Sequence, residues 1–153
     1  MDGDYIIPII GQILLIIAII SSVNQIFRFQ NAGNKLFRTI ALITQIFPFF
    51  FLVFAFILDF SSLKLVTEYG GADLPLLYRI SAVWGGRAGP LLLFAALMSI
   101  VTWLMTEREM LDYDVRIMHG FTLGILVISW FLEPFANSAG VTQVNLTHYY
   151  RLI

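Results

Sequence analysis

Four stretches of this chain are apolar almost without interruption, and short polar segments divide them. The first runs roughly Tyr5–Phe27, rich in Ile and Leu and free of charge; about 20 such residues are enough to cross a hydrocarbon core as a helix. Pro8 lies in its first turns, where it does little damage, and Asn24 and Gln25 mark its approach to the interface. The second stretch, roughly Thr39–Leu58, carries Pro48 near its middle, which predicts a kink. Its Phe-dense run, Phe47–Phe56, reads as lipid-facing or packing aromatics rather than a cofactor stack. The third, roughly Pro90–Thr106, holds Ala95, Ala96 and Ser99, suited to close helix packing, and Trp103, suited to an interfacial aromatic belt. The fourth, roughly Val115–Phe135, contains His119, Gly120 and Gly124 and ends at Glu133-Pro134. The pattern predicts an all-α membrane domain over residues 1–153, with about four transmembrane helices.

The segment between the second and third stretches, residues 59–87, is longer and more structured than a connector needs. Leu63, Lys64 and Leu65 alternate, so Ser61–Tyr69 is expected to be extended, and Gly70-Gly71 then turns the chain. Asp73 is placed to N-cap a short helix that tolerates Pro75 in its first turn. Leu76, Leu77, Ile80, Val83 and Trp84 share one face of it, predicting an amphipathic helix lying on the membrane surface. Gly85-Gly86 ends that helix, Arg87 stands at the corner, and Gly89-Pro90 opens the next span.

Charge orients the chain. The link between the first two spans carries Arg28, Lys35 and Arg38 and no acid, which assigns it to the cytoplasm or matrix. The N-terminus, residues 59–87 and the C-terminal tail are then outside. Asp2 and Asp4 precede the first span where a signal peptide would carry Lys or Arg, so that span is read as retained. Composition agrees with a membrane class: 59% hydrophobic and 12% charged residues, with mean hydropathy +0.85. A net charge of −1 offers nothing to nucleic acid. The chain has no cysteine, which excludes disulfides, thiolate metal sites, a cysteine nucleophile and a CxxCH haem site of its own.

Few residues invite chemistry. His119 is ionisable and lies about one turn into a span, where burial is costly and a functional role is worth testing. A hydrogen bond to a neighbouring helix is the plainer account. His148 lies in the tail, on the opposite side of the membrane from His119 in this topology, so the two cannot ligate one metal. Arg87 suits a carboxylate or propionate, or a lipid headgroup. Trp84 suits an interfacial anchor, and Glu133 reads as a helix-end carboxylate. Asn145-Leu146-Thr147 matches a glycosylation sequon. No Walker loop, HExxH or catalytic triad can be assembled, so neither a catalytic nor a metal site is expected in this chain.

One stretch resembles a known family. Leu74-Pro75, Tyr78-Arg79, Ser81-Ala82-Val83-Trp84-Gly85, Gly89 and Leu91-Leu92-Leu93 follow the CcmF pattern LP-x-x-Y-K-x-S-A-x-WG-x-HEGS-LLLW. Phe60-Ser61-Ser62 and Leu65-Val66 are similar to that family's DFSV-x-YVA run, and Glu133-Pro134-Phe135 stands where it has Asn-Pro-Phe. Arg87, Ala88 and Pro90 replace the family's His, Glu and Ser, so no role of that His-Glu pair carries over. The resemblance is to the N-terminal portion of the family, and His148 does not match its external histidine.

The resemblance implies a split or truncated haem lyase of cytochrome c-type biogenesis, in a bacterial or archaeal plasma membrane or the mitochondrial inner membrane. It implies haem transport and binding in a protein complex that presents haem to apocytochrome c on the outer side. This chain would be a scaffold that is not catalytic alone. A companion chain would carry the tryptophan-rich WWD segment and the haem-ligating histidines, and other cytochrome c maturation proteins would be partners. Trp84, Gly85 and Arg87 would border the external haem platform. The alternative is an accessory subunit of a respiratory membrane complex with no haem role. The topology is directly testable in a cysteine-free chain. A cysteine at Gly71 should react with an impermeant maleimide applied from outside and one at Asn34 should not; the reverse pattern inverts the orientation.

Overall fold

A computed structural model describes residues 5–27, 35–108 and 112–138; residues 1–4, residues 28–34 with Arg28 of the basic link, residues 109–111, and the tail from 139 with the sequon and His148 lie outside that range. Every apolar stretch is helical. The helices are α1 (Ile6–Phe27), α2 (Lys35–Ile57), α3 (Lys64–Tyr69), α4 (Leu76–Ala82), α5 (Ala88–Glu107) and α6 (Asp112–Phe131). Four of them, α1, α2, α5 and α6, are long and apolar enough to cross a bilayer. The only β pairing among the described residues is an isolated antiparallel bridge between Leu63 and Asn137.

The four long helices close into a ring: α1 packs on α2 and α6, and α5 on the same two. Leu15, Leu52, Phe56, Leu92 and Leu126 fill the centre. Ile13, Ile20, Phe50, Phe54 and Leu97 point away from it. Lipid is as apolar as these side chains, so burial alone does not hold such a bundle together; close backbone approach does. The seams accordingly carry Gly11, Ala18, Ala41, Ala55, Ala95 and Ala96, all buried. Ser99, also buried, bonds its hydroxyl back to the Ala95 carbonyl at 2.8 Å, and Thr102 and Thr122 do the same to Met98 and Met118 at 2.7 and 3.0 Å. That disposes of hydroxyls where no water reaches. Between helices, the Ser22 hydroxyl donates to the His119 carbonyl at 3.3 Å. α2 stays helical through the buried Pro48. Of the phenylalanine run, Phe49 and Phe56 pack inward and Phe47, Phe50 and Phe54 face out.

At one end Lys35 of α2 meets Glu107 of α5 at 3.4 Å, an exposed pair of small energetic weight. The opposite end is closed by the two segments that leave α2 and α6. α6 stops at Phe131, and Glu133, at φ 48°, reverses the chain before Pro134, which cannot donate to the helix end. Phe135 is thereby carried back into the bundle and is fully buried. Its ring lies across α1 at Gly11, where any Cβ would collide with it, and meets Phe51 edge-on at 5.7 Å.

Two local expectations are corrected here. Ser61–Tyr69 is not extended: α3 occupies Lys64–Tyr69, and Leu63 alone makes a bridge. Leu63 and Val66 are the buried apolar residues, and their i, i+3 spacing is helical. The Thr67 hydroxyl, bonded to the Ser61 and Leu63 carbonyls at 2.9 and 3.1 Å, secures the turn. Nor does Asp73 cap α4; the N-cap is Pro75, whose carbonyl takes the Tyr78 and Arg79 amides at 2.9 and 3.1 Å.

Removing the Phe135 ring should therefore destabilise the bundle itself. Phe135→Ala is expected to cost about 3–5 kcal/mol, read as earlier unfolding in a detergent titration. Phe50→Ala, on the outward face of α2, should leave the midpoint almost unmoved. Equal effects of the two would refute the seat.

Candidate functional site

The cap at the Phe135 end is built from backbone upward. α2 ends in a Schellman turn: Phe60 N–H donates to the Ala55 carbonyl at 3.0 Å and Asp59 N–H to Phe56 at 3.3 Å, with Asp59 at φ 54°. The chain then runs beside the segment leaving α6. Lys64 N–H reaches Ala136 O at 2.9 Å, Ser138 N–H reaches Ser62 O at 2.9 Å, and the Ser138 hydroxyl reaches Ser61 O at 2.6 Å. This clasp fixes α3 over the end of the bundle.

α3 in turn presses on the corner between α4 and α5. No described glycine has a positive φ, so the glycines here serve close approach rather than a left-handed turn. A Cβ on Gly85 would lie 2.6 Å from Tyr69 Cδ1, and one on Gly86 would lie 2.8 Å from Leu65 Cδ1. At Gly89 a Cβ would run into the Val83 carbonyl, which is backbone and cannot swing aside.

Arg79 binds the cap to the membrane helices. Its Nε donates to Leu74 O at 2.9 Å, Nη1 to Ile57 O at 3.0 Å and Nη2 to Ala72 O. Ile57 ends α2, so the guanidinium satisfies an otherwise orphaned carbonyl at the negative end of a helix dipole. In the sequence Arg79 stood out only as part of the CcmF-like stretch, and this role was missed. No sequence signal marks it, because its three partners are backbone carbonyls.

The sequence-derived candidates fall on the rim of this cap. Trp84 is 49% exposed, Gly85 is exposed against Tyr69, and Arg87 stands exposed just ahead of α5 with no side-chain cap bond. The face expected to unite Leu76, Leu77, Ile80, Val83 and Trp84 divides. Val83 is buried in the bundle, while Leu76, Leu77 and Trp84 remain exposed, Leu77 at 78%. Beside the cap, Gln12, Trp130 and Glu133 border a crevice of about 170 Å³. His119 is not part of this end. It is buried, its Nδ1 meets no hydrogen-bond partner, and it lies about 18 Å along α6 from Phe131 at 1.5 Å per residue. Among the described residues no three acidic or histidine side chains gather as a metal site.

What the arrangement defines is a four-span membrane bundle whose one end carries a tightly tied cap that exposes Leu77, Trp84 and Arg87. Comparison with known proteins gives it a family context. Over 117 residues the chain is 31% identical to the cytochrome c-type biogenesis protein CcmF of Escherichia coli (strain K12), a match covering 70% of this chain and 18% of that protein. Over 143 residues it is 32% identical to CcmF of Pseudomonas fluorescens, covering 83% of this chain and 22% of the relative. The chain is thus related to the CcmF proteins over most of its own length, and it spans about a fifth of theirs. No family model matches the chain. No solved structure matches it.

Arg79 makes a clear test of the cap. Arg79→Ala should speed hydrogen exchange across residues 72–83 and lower stability by about 1–3 kcal/mol, the usual range for losing bonds to a charged donor. Arg79→Lys should rescue little, because an ammonium cannot span three carbonyls in a fan. Unchanged exchange in both variants would mean the clamp does not hold the cap.

Proposed function

We propose that this chain is the membrane scaffold of a CcmF-like haem lyase of cytochrome c-type biogenesis. The observation that carries the reading is a coincidence of two kinds of fact. The stretch that resembles the CcmF motif, Leu74 to Leu93, is the stretch that α3, the Arg79 clamp and the glycine corner hold in place. Relatedness to CcmF over 70–83% of the chain supports the assignment.

In this reading the cap faces the outer side of the membrane, the side that the basic link between α1 and α2 favours. Its short helix α4 lies at the interface, with Leu76, Leu77 and Trp84 toward lipid headgroups or a partner. Haem is cargo. The exposed Arg87 guanidinium suits a propionate, and the Trp84 ring offers an apolar edge. The cap has no histidine among the described residues, so in this reading axial ligation and the WWD surface come from a companion chain. Attachment of haem to apocytochrome c then takes place against that companion, with this chain as its base.

The test uses the native host. The chain, isolated in mild detergent, is expected to bring down haem absorbance together with a polypeptide bearing the WWD segment. Trp84→Ala with Arg87→Ala is expected to cut mature c-type cytochromes at least about tenfold while the chain still accumulates. A colourless preparation bound to respiratory-complex subunits, with c-type cytochromes intact, would replace this reading with the accessory-subunit one.

A further inference from the structure

α1 is a span without a charge, and from Ile6 to Ile20 its one polar side chain is Gln12. Gln12 is exposed, about 9 Å along the helix from Ile6 at 1.5 Å per residue. It borders the crevice of about 170 Å³ between α1 and the end of α6, where Leu15 and Phe135 are buried and Trp130 and Glu133 supply the other polar groups. Glu133 holds the left-handed conformation, φ 48°, which Asn and Asp adopt more readily than Glu. The turn alone therefore gives no reason for glutamate; the carboxylate is what this position adds. The Gln12 amide, the Trp130 indole N–H and the Glu133 carboxylate have no hydrogen-bond partner among the described residues, and Glu133 has no ion-pair partner among them.

The depth of the crevice matters as much as its chemistry. Phe135 seats the segment that follows α6 against Gly11, so the carboxylate stands beside the second turn of a membrane helix. Ile6, Ile9 and Ile10 of that helix are exposed at or beyond this level. An uncompensated charge is costly at the edge of the hydrocarbon. The crevice opens to lipid beside the exposed Phe131, and the cation at hand on such a surface is the ammonium of a zwitterionic phospholipid. A primary ammonium suits the site better than a quaternary one. The Glu133 carboxylate and the Gln12 amide oxygen accept N–H bonds that a trimethylammonium cannot give. The Trp130 ring attracts a cation at its face. Its N–H, with the Gln12 amide nitrogen, leaves donors for the phosphate next to the ammonium.

We propose that this crevice binds the headgroup of one phosphatidylethanolamine molecule, with the ammonium between Glu133 and Gln12. An acyl chain then follows the exposed Ile16, one turn further along α1 on the face of Gln12. The bound lipid neutralises the carboxylate and bridges α1 to the segment that carries Phe135. It thereby supports the same bundle end from the outside that Phe135 closes from the inside. The proposal needs only that the four long helices span a bilayer, and it stands apart from the haem-lyase reading.

The test places the full chain in nanodiscs of phosphatidylglycerol mixed with either phosphatidylethanolamine or phosphatidylcholine, and counts retained lipid by native mass spectrometry. One phosphatidylethanolamine per chain is expected to stay bound, and phosphatidylcholine is not. Glu133→Gln removes the charge at nearly constant size and should cut that retention at least about tenfold, the scale of losing a bond to a charged group. Gln12→Leu leaves the turn at Glu133 untouched and should cut it about threefold or more. In lipid-free detergent both variants should unfold with the parent chain, since neither side chain bonds to another described residue. Added phosphatidylethanolamine should raise the midpoint of the parent chain alone. Equal retention by the variants, or phosphatidylcholine held as firmly as phosphatidylethanolamine, overturns the proposal. So does a p-benzoyl-phenylalanine at position 131 that crosslinks in native membranes to a polypeptide and not to lipid, because a basic side chain would then fill the crevice.

Discussion

The ring of Phe135 against the bare backbone of Gly11 is the contact on which the cap depends. α6 ends four residues earlier, and only the reversal at Glu133 and Pro134 returns the chain to the bundle. Once the ring is seated between α1 and Phe51, residues 136–138 lie beside 61–64, and the clasp of main-chain bonds follows. The clasp sets α3, α3 presses on Gly85 and Gly86, and the corner they form sets the start of α5. A single aromatic in a glycine notch thus propagates to the far side of the same bundle end.

Inside the bilayer the governing constraint is different. With no water to satisfy polar groups and no hydrophobic gain in moving from lipid to protein, α1, α2, α5 and α6 cohere through small residues and self-satisfied hydroxyls. Ser99, Thr102 and Thr122 bond their own helices, so they add no directional glue. The bond from Ser22 to His119 is the exception, tying α1 to α6. The buried imidazole of His119 is consistent with a packing role in that seam and is remote from the cap.

These two regimes divide the molecule by task. The bundle is an apolar base, and the cap is a fixed surface held by Arg79 and the clasp, with Leu77, Trp84 and Arg87 left exposed at its rim. The chain is related to the CcmF proteins over about a fifth of their length.

The four spans were legible because a run of about 20 apolar residues has almost no alternative to a membrane helix. The small residues of the third span were legible for a related reason: in lipid, only they allow close packing, and Ala95, Ala96 and Ser99 are indeed buried. The corner at Gly85 and Gly86 was visible as punctuation, though its cause was not. Short polar segments read poorly. Alternation over Leu63, Lys64 and Leu65 resembled a strand, and burial of Leu63 and Val66 against the bundle made it a helix. Asp73 had the chemistry of a cap, but Pro75 already stood in the capping geometry. Arg79 and Phe135 could not be placed from sequence, since their partners lie in other segments: Ile57 for one, Gly11 and Phe51 for the other. The sequence by itself determined that this chain is a bundle of membrane helices, because hydropathy acts locally along each span. Only the tertiary structure decided how the bundle end is closed, because that depends on contacts between segments far apart in the chain.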